Sequence, residues 1–171
     1  MKVKPKLGFI LIVVFQILVL VGWTGFNEIS IASGKTVVLQ TVPVDPMDIF
    51  RGEYVQLRYT ISTLSNIPGA LTLEYGDKAY VHLEQDGEVW KATEVSKMKH
   101  DDWDVFITGE ISWIRNNQRT ISYGIESYFV PEGKGMEIQR ARDVKVRVAI
   151  NSSGQAFIKG LFVDGKPFQL R

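Results

Sequence analysis

An uninterrupted apolar run near the start of the chain, from Leu7 to Phe26, most restricts how this sequence can fold. Its only strongly polar side chain is Gln16. About 20 residues, rising about 1.5 Å each, reach about 30 Å, the thickness of a bilayer's hydrocarbon core. A helix satisfies its own backbone hydrogen bonds there. The run therefore predicts a single transmembrane helix at residues 7–26, in contact with the lipid bilayer.

The charges beside this run predict its orientation. Lys2, Lys4 and Lys6 form a basic flank at residues 1–6, and such a flank stays in the cytoplasm. The alternative is a cleaved signal peptide, which needs small residues at the −3 and −1 positions close to the apolar run. Residues 31–33 lie too far away, and residues 23–25 place a bulky Trp at −3. We therefore expect a single-pass protein of the cell membrane with an extracytoplasmic C-terminal domain.

Composition limits what the rest of the chain can do. The first 25 residues hold three of the 20 Lys and Arg and none of the 19 Asp and Glu, which leaves 17 basic and 19 acidic residues and a formal charge of −2. That balance does not suit binding to nucleic acid. The chain has no cysteine, so disulfides, thiol catalysis and cysteine-bound metals are excluded.

Period-two alternation of apolar and polar residues dominates after a linker at residues 27–34 and predicts half-buried strands. Asp86-Gly87 and Asn116-Asn117 suit tight turns between paired strands. We expect strands at residues 35–42, 54–61, 78–84, 88–95, 105–114, 118–128, 144–150 and 155–163, a loop at 64–73 and a helical turn at 136–142. Without long crossover helices, the prediction for residues 35–171 is a mainly β domain, an antiparallel β-sandwich or a small β-barrel.

Two blocks of sequence carry a family resemblance. Residues 52–59, GEYVQLRY, resemble the signature from which the GDYXXLXY family takes its name, with Glu53 where the family typically has Asp. Residues 43–51 look like the family's lead-in, and residues 123–133 are similar to a second family block. The resemblance implies an anchored extracytoplasmic protein, often found beside multi-pass membrane proteins. It supplies no catalytic residue.

Charged and aromatic residues of these blocks are the candidates for binding a ligand or partner. They are Asp45, Asp48, Arg51, Glu53, Tyr54, Arg58, Tyr59, Glu126 and Glu132. An arginine at 51 or 58 could pair with a carboxylate at 126 or 48, and a purely structural role of this kind is favoured over a binding site. Tyr54 and Tyr59 are an odd number of positions apart, so we expect one in the core and the other exposed.

Known catalytic and cofactor motifs are not matched. Gly34-Lys35-Thr36 lacks the earlier glycine of a phosphate-binding loop, because position 29 is Ile29. Residues 100–104, HDDWD, are expected to form a solvated acidic loop rather than a metal site, and an EF-hand that starts at Asp101 fails at its sixth and twelfth positions. No catalytic residue, metal or cofactor is predicted.

Two functions follow as expectations. The first is a membrane-anchored extracytoplasmic accessory or binding module that associates with a multi-pass membrane protein. The alternative is an extracytoplasmic hydrolase with an acidic site, in which burial would separate the pKa values of two carboxyl groups. Its acids would come from both family blocks.

Overall fold

The computed structural model describes residues 5–32, 34–42, 50–51, 54–131 and 134–169. It describes their side chains apart from those of residues 5–7, 23–32, 50–51 and 139. The chain divides into two compact units, Met1–Ser33 and Gly34–Arg171. Each unit is therefore described by itself.

The smaller unit consists of one helix, α1 (Pro5–Ala32), which covers the predicted span at 7–26 and most of the predicted linker. Large apolar side chains are exposed on it at residues 9–12, 14–15 and 17–21. Because successive helical residues point about 100° apart, these side chains surround the helix. Within the described residues, no helix combines the length and the apolar character that crossing a membrane requires.

The described residues of the larger unit form mainly strands, together with the short helix α2 (Gly135–Arg140) and 3₁₀ turns at Thr60–Ser62 and Ala70–Thr72. In the described part of this unit, the strands are β1 (Lys35–Val42), β2 (Phe50–Arg51), β3 (Tyr54–Gln56), β4 (Arg58–Tyr59), β5 (Lys78–Asp86), β6 (Val89–Ser96), β7 (Phe106–Arg115), β8 (Gln118–Ser122), β9 (Ser127–Phe129), β10 (Val144–Ile150), β11 (Ala156–Val163) and β12 (Lys166–Pro167).

The strands pair antiparallel in three sheets, which confirms the prediction of a mainly β domain. The sheet orders are β12-β11-β10-β1-β4, β6-β5-β7-β8 and β2-β3-β9. Alternate residues of these strands enclose one core as a half-barrel. Its most deeply buried large side chains include Leu39, Tyr59, Leu64, Leu73, Leu83, Ile107, Ile111, Ile121 and Leu161.

Both predicted hairpins are confirmed, and a residue with positive φ lies in each turn. β5 and β6 pair from Asp86↔Val89 to Tyr80↔Ser96, and Gly87 adopts φ 63° between them. Asn116 adopts φ 53° in the turn between β7 and β8. Glycine and asparagine tolerate this left-handed region better than other residues do.

Two predicted strands are shorter than expected. The prediction of one strand over residues 54–61 was wrong, because β3 pairs with β9, β4 pairs with β1, and a 3₁₀ turn follows. The strand predicted at 118–128 was also too long. β8 ends at Ser122, where Gly124 turns the chain with φ 79°, and β9 then joins another sheet.

Candidate functional site

The two blocks that carry the family resemblance lie side by side. β3 pairs with β9 in the register Tyr54↔Phe129, Val55↔Tyr128 and Gln56↔Ser127. The backbone N–H of Leu57 continues this ladder by donating to the carbonyl oxygen of Glu126 over 2.6 Å. The two blocks are therefore one structural unit, although about 70 residues separate them in the chain.

Two buried tyrosines, one from each block, link the second block to the first block and to the residues that directly follow it. The Tyr59 hydroxyl donates to the carbonyl oxygen of Ile125 over 2.7 Å. The Tyr123 hydroxyl donates to the carbonyl oxygen of Ile61, also over 2.7 Å. Tyr59 is fully buried and Tyr123 nearly so, so each bond satisfies a hydroxyl and a carbonyl group away from bulk water. We call this pair of bonds the tyrosine clasp.

Glu126 holds the turn beside the tyrosine clasp. Its carboxylate accepts hydrogen bonds from the backbone N–H groups of Tyr123 at 2.5 Å and Gly124 at 2.9 Å. Among the described residues it forms no ion pair with Arg58. The geometry gives Glu126 a positioning role in the turn between β8 and β9.

The two clasp tyrosines are held in their neutral form. Burial, and then the negative charge of Glu126, raise the pKa of Tyr59 far above its usual value. The same two causes, in the same order, raise the pKa of Tyr123. A neutral phenol keeps the proton that it donates to a carbonyl oxygen, so the clasp remains closed throughout the physiological pH range.

One signature tyrosine lies on the surface instead. Tyr54 is 50% exposed and Phe129, opposite it on β9, is 48% exposed. Their rings meet edge to face, with centroids 5.6 Å apart and planes at 72°. We call these two residues the Tyr54–Phe129 pair. The expectation that Tyr54 and Tyr59 differ in exposure is confirmed, since Tyr59 is in the core.

The remaining predicted site residues divide between the surface and the undescribed segments. Arg58 is exposed on β4, where it lies opposite Val42 of β1. Arg51 belongs to β2, and its backbone pairs with Tyr54. The predictions for the Arg51 side chain and for Asp45, Asp48, Glu53 and Glu132 lie outside the described residues. Of the predicted site residues, the described structure places Tyr59 near Glu126, whereas Tyr54 lies at the surface beside Phe129.

Two cavities lie in the described part of the domain, and Tyr123 of the tyrosine clasp lines one of them. One cavity of about 350 Å³ is lined by residues 66–72 and 117, and another of about 340 Å³ by residues 76, 78, 108–110, 122 and 123. Neither is lined by a predicted site residue. In the part of the chain that the structure describes, no three His, Asp or Glu side chains are grouped to bind a metal ion.

Sequence analysis did not select Tyr123 or Phe129, although both lie in the second block. No alternation signal marks Phe129: it is an even number of positions from the core residues Tyr123 and Ile125, so continuous alternation would bury it, yet it is half exposed. No signal marks Tyr123 as the partner of residue 61, because that contact depends on which strands pair.

Comparison with known proteins assigns most of the chain to one family. The model of the family described as GDYXXLXY protein matches residues 16–161. This range contains both blocks, the tyrosine clasp and the Tyr54–Phe129 pair. No curated protein and no solved structure matches the chain.

Proposed function

The chain belongs to the GDYXXLXY protein family, and from this premise we propose that it is a membrane-anchored extracytoplasmic accessory module. In this proposal α1 is a single-pass anchor. The β domain binds a multi-pass membrane protein through the Tyr54–Phe129 pair. The observation that carries the proposal is the exposure of Tyr54. This residue belongs to the family signature, yet it does not pack in the core.

The anchoring role is supported by the surface of α1. Its described apolar side chains point in all directions, and a helix that is apolar all round is typically buried in a protein core or in a membrane. Exposed apolar surface of this extent is unfavourable in water. The lysines at positions 2, 4 and 6 favour an N-terminus in the cytoplasm.

The binding role is supported by what the signature residues do. Leu57 and Tyr59 are buried, so the stability of the fold accounts for them. Tyr54 is half exposed and contacts Phe129, another half-exposed aromatic residue. Aromatic residues are enriched at protein interfaces because they bury a large area with little loss of conformational freedom. A contact with a partner accounts for Tyr54 in a way that folding does not.

Site-specific photo-cross-linking in intact membranes tests the binding role. A photoreactive amino acid replaces Tyr54 or Phe129 in the full chain, and Tyr75, which is 75% exposed elsewhere on the domain, serves as the matched control. We expect one discrete adduct from positions 54 and 129, with a membrane protein as the cross-linked species, and none from position 75. Equal adducts from all three positions, or none from 54 and 129, would overturn the proposed surface.

Anchoring is tested separately by alkaline carbonate extraction and by protease treatment of sealed cells. We expect the full chain to stay in the membrane pellet and its β domain to be digested from outside. Release into the supernatant, or a domain protected in sealed cells but digested after lysis, would contradict the anchor or its orientation.

The hydrolase alternative stays a prediction. Glu126 is engaged by two backbone N–H groups, and the other acids of that predicted site lie outside the described residues. No observation on the described residues favours this alternative over the binding module.

A further inference from the structure

We propose that the segment of residues 97–104, between β6 and β7, is a proton-sensitive latch on the four-stranded sheet. Both histidines of the chain stack against one indole in this region. His82 lies 5.2 Å from Trp103 with ring planes at 11°, and His100 lies 4.6 Å away at 21°. The inference rests on this geometry alone and is independent of the proposed partner.

The latch joins a loop to a strand. His82 belongs to β5, and its neighbours Val81 and Leu83 point into the core. Its side chain therefore lies on the outer face of the sheet. His100 and Trp103 belong to the loop, and Trp103 is only 6% exposed. The loop thus buries its tryptophan against the outside of the sheet, where the two imidazole rings cover it.

Other contacts fix the two ends of the latch. The Lys35 ammonium group binds the Asp104 carboxylate over 2.5 Å. The backbone N–H of Leu83 donates to the carbonyl oxygen of Val105 over 2.9 Å. Lys97 binds Asp77 over 2.7 Å at the other end. Between these fixed ends, the described contacts of the loop with the sheet are mainly ring contacts, so their strength decides how tightly the segment closes.

Imidazole is the side chain that ordinarily changes charge between pH 5 and 8. An imidazolium that faces an indole gains a cation–π interaction, which a neutral imidazole lacks. Protonation of either histidine should therefore strengthen its contact with Trp103.

Charged and polar groups of three strands surround His82. Its Nδ1 atom lies 4.0 Å from Glu84 Oε1 on β5 and 3.1 Å from Thr93 Oγ1 on β6. Glu94 of β6 is opposite His82 in the sheet register, and Phe106 is opposite it on β7. Glu84 and Glu94 are thus the carboxylates that neighbour His82 on its own strand and on β6.

The charges around His100 are mixed. Asp101 and Asp102 follow it directly in the chain, and Lys99 precedes it with its Nζ atom 5.1 Å from the centre of the Phe106 ring. Because protonation adds a cation–π interaction with Trp103, we expect acidification to close the latch.

The test uses the full chain in mild detergent, with 5-fluorotryptophan in place of its four tryptophans. Trp103→Phe identifies the ¹⁹F resonance of residue 103, and a soluble gadolinium chelate reports its accessibility. From pH 8 to pH 5.5 we expect the resonance to shift and its chelate-induced broadening to fall. The expected fall is about two- to fivefold for each imidazolium formed, as a cation–π contact of ordinary strength supports.

Variants separate the latch from general effects of pH. His82→Gln and His100→Gln should each remove part of the change at residue 103, and the double variant should remove it all. The resonance of Trp90 serves as the check that the fold is intact. An unchanged resonance at residue 103, broadening that rises on acidification, or a full response in the double variant would overturn the proposal.

Discussion

The hydroxyl group of Tyr59 donates a hydrogen bond to the backbone carbonyl oxygen of Ile125 over 2.7 Å, joining two segments that are 66 positions apart. The hydroxyl group of Tyr123 donates a hydrogen bond of the same length to the carbonyl oxygen of Ile61. The buried tyrosines of the two family blocks thus hold the fold together, whereas Tyr54 is left at the surface. The same short stretch of sequence therefore contains both a structural element and the proposed contact with a partner.

Removal of one clasp hydroxyl should destabilise the domain. Tyr59→Phe keeps the ring but leaves the carbonyl group of Ile125 buried without its donor, which costs about 1–3 kcal/mol. Chemical unfolding of the full chain, followed by tryptophan fluorescence, measures the change. Tyr54→Phe is the matched control, because its hydroxyl group is at the surface and we expect a change within about 0.5 kcal/mol. Equal losses in the two variants would contradict the clasp.

The clasp also predicts an alkaline limit to stability. Folding raises the pKa of Tyr59 and Tyr123, whereas an unfolded tyrosine ionises near pH 10. The stabilisation is complete below that pH, and it is lost above it because only the unfolded chain releases the protons. Each tyrosine should lower the free energy of unfolding by about 1.4 kcal/mol per pH unit above about pH 10.

Denaturant midpoints measured from pH 8 to pH 12, with tyrosinate absorbance as a second signal, check this slope. Tyr59→Phe should retain the contribution of Tyr123 and lose its own, so its slope should be shallower than that of the wild type. A wild-type midpoint that does not fall between pH 10 and pH 12 would show that these phenols ionise freely in the folded domain.

The backbone of Val95 lies too close to Gly69 to leave room for a side chain there. Gly69 adopts φ 84°, and a Cβ atom there would collide with the carbonyl oxygen of Val95. Gly76 adopts nearly the same φ, 81°, with open space where a Cβ would lie. Gly76→Ala should therefore cost only the backbone strain, about 1 kcal/mol, while Gly69→Ala should cost at least about 2 kcal/mol. Thermal unfolding of both variants compares them, and equal melting temperatures would contradict the close approach.

Local sequence signals predicted which face a residue occupies better than which strand it pairs with. Val55, Leu57, Tyr59 and Ile61 are all buried, as their alternation predicts. The chain nevertheless changes partners within this run, from β9 to β1. Period-two alternation indicates which side chains are buried, but it does not indicate which strand lies beside them. The single predicted strand was wrong for that reason.

Turns were predicted where one residue type dictates the backbone, as at Gly87. The candidate site was harder to predict. The carbonyl groups of Ile61 and Ile125 become acceptors because tertiary packing places a tyrosine hydroxyl beside each. The sequence does not show which backbone carbonyl groups will accept such a hydrogen bond. The stacking of His82 with Trp103 likewise depends on where a loop folds back onto a strand.

A polar residue on α1 gives the last prediction, which rests on the proposed anchor. Gln16 is exposed among apolar neighbours on the helix. In a membrane, its amide group would be satisfied by a hydrogen bond to a partner helix, a contact that contributes about 1 kcal/mol. Gln16→Leu should then weaken association with the partner by roughly fivefold while leaving the membrane fraction unchanged. Quantitative co-purification in mild detergent measures this, with Leu18→Val as the matched control, and an undiminished partner yield from the Gln16→Leu variant would rule out the contact.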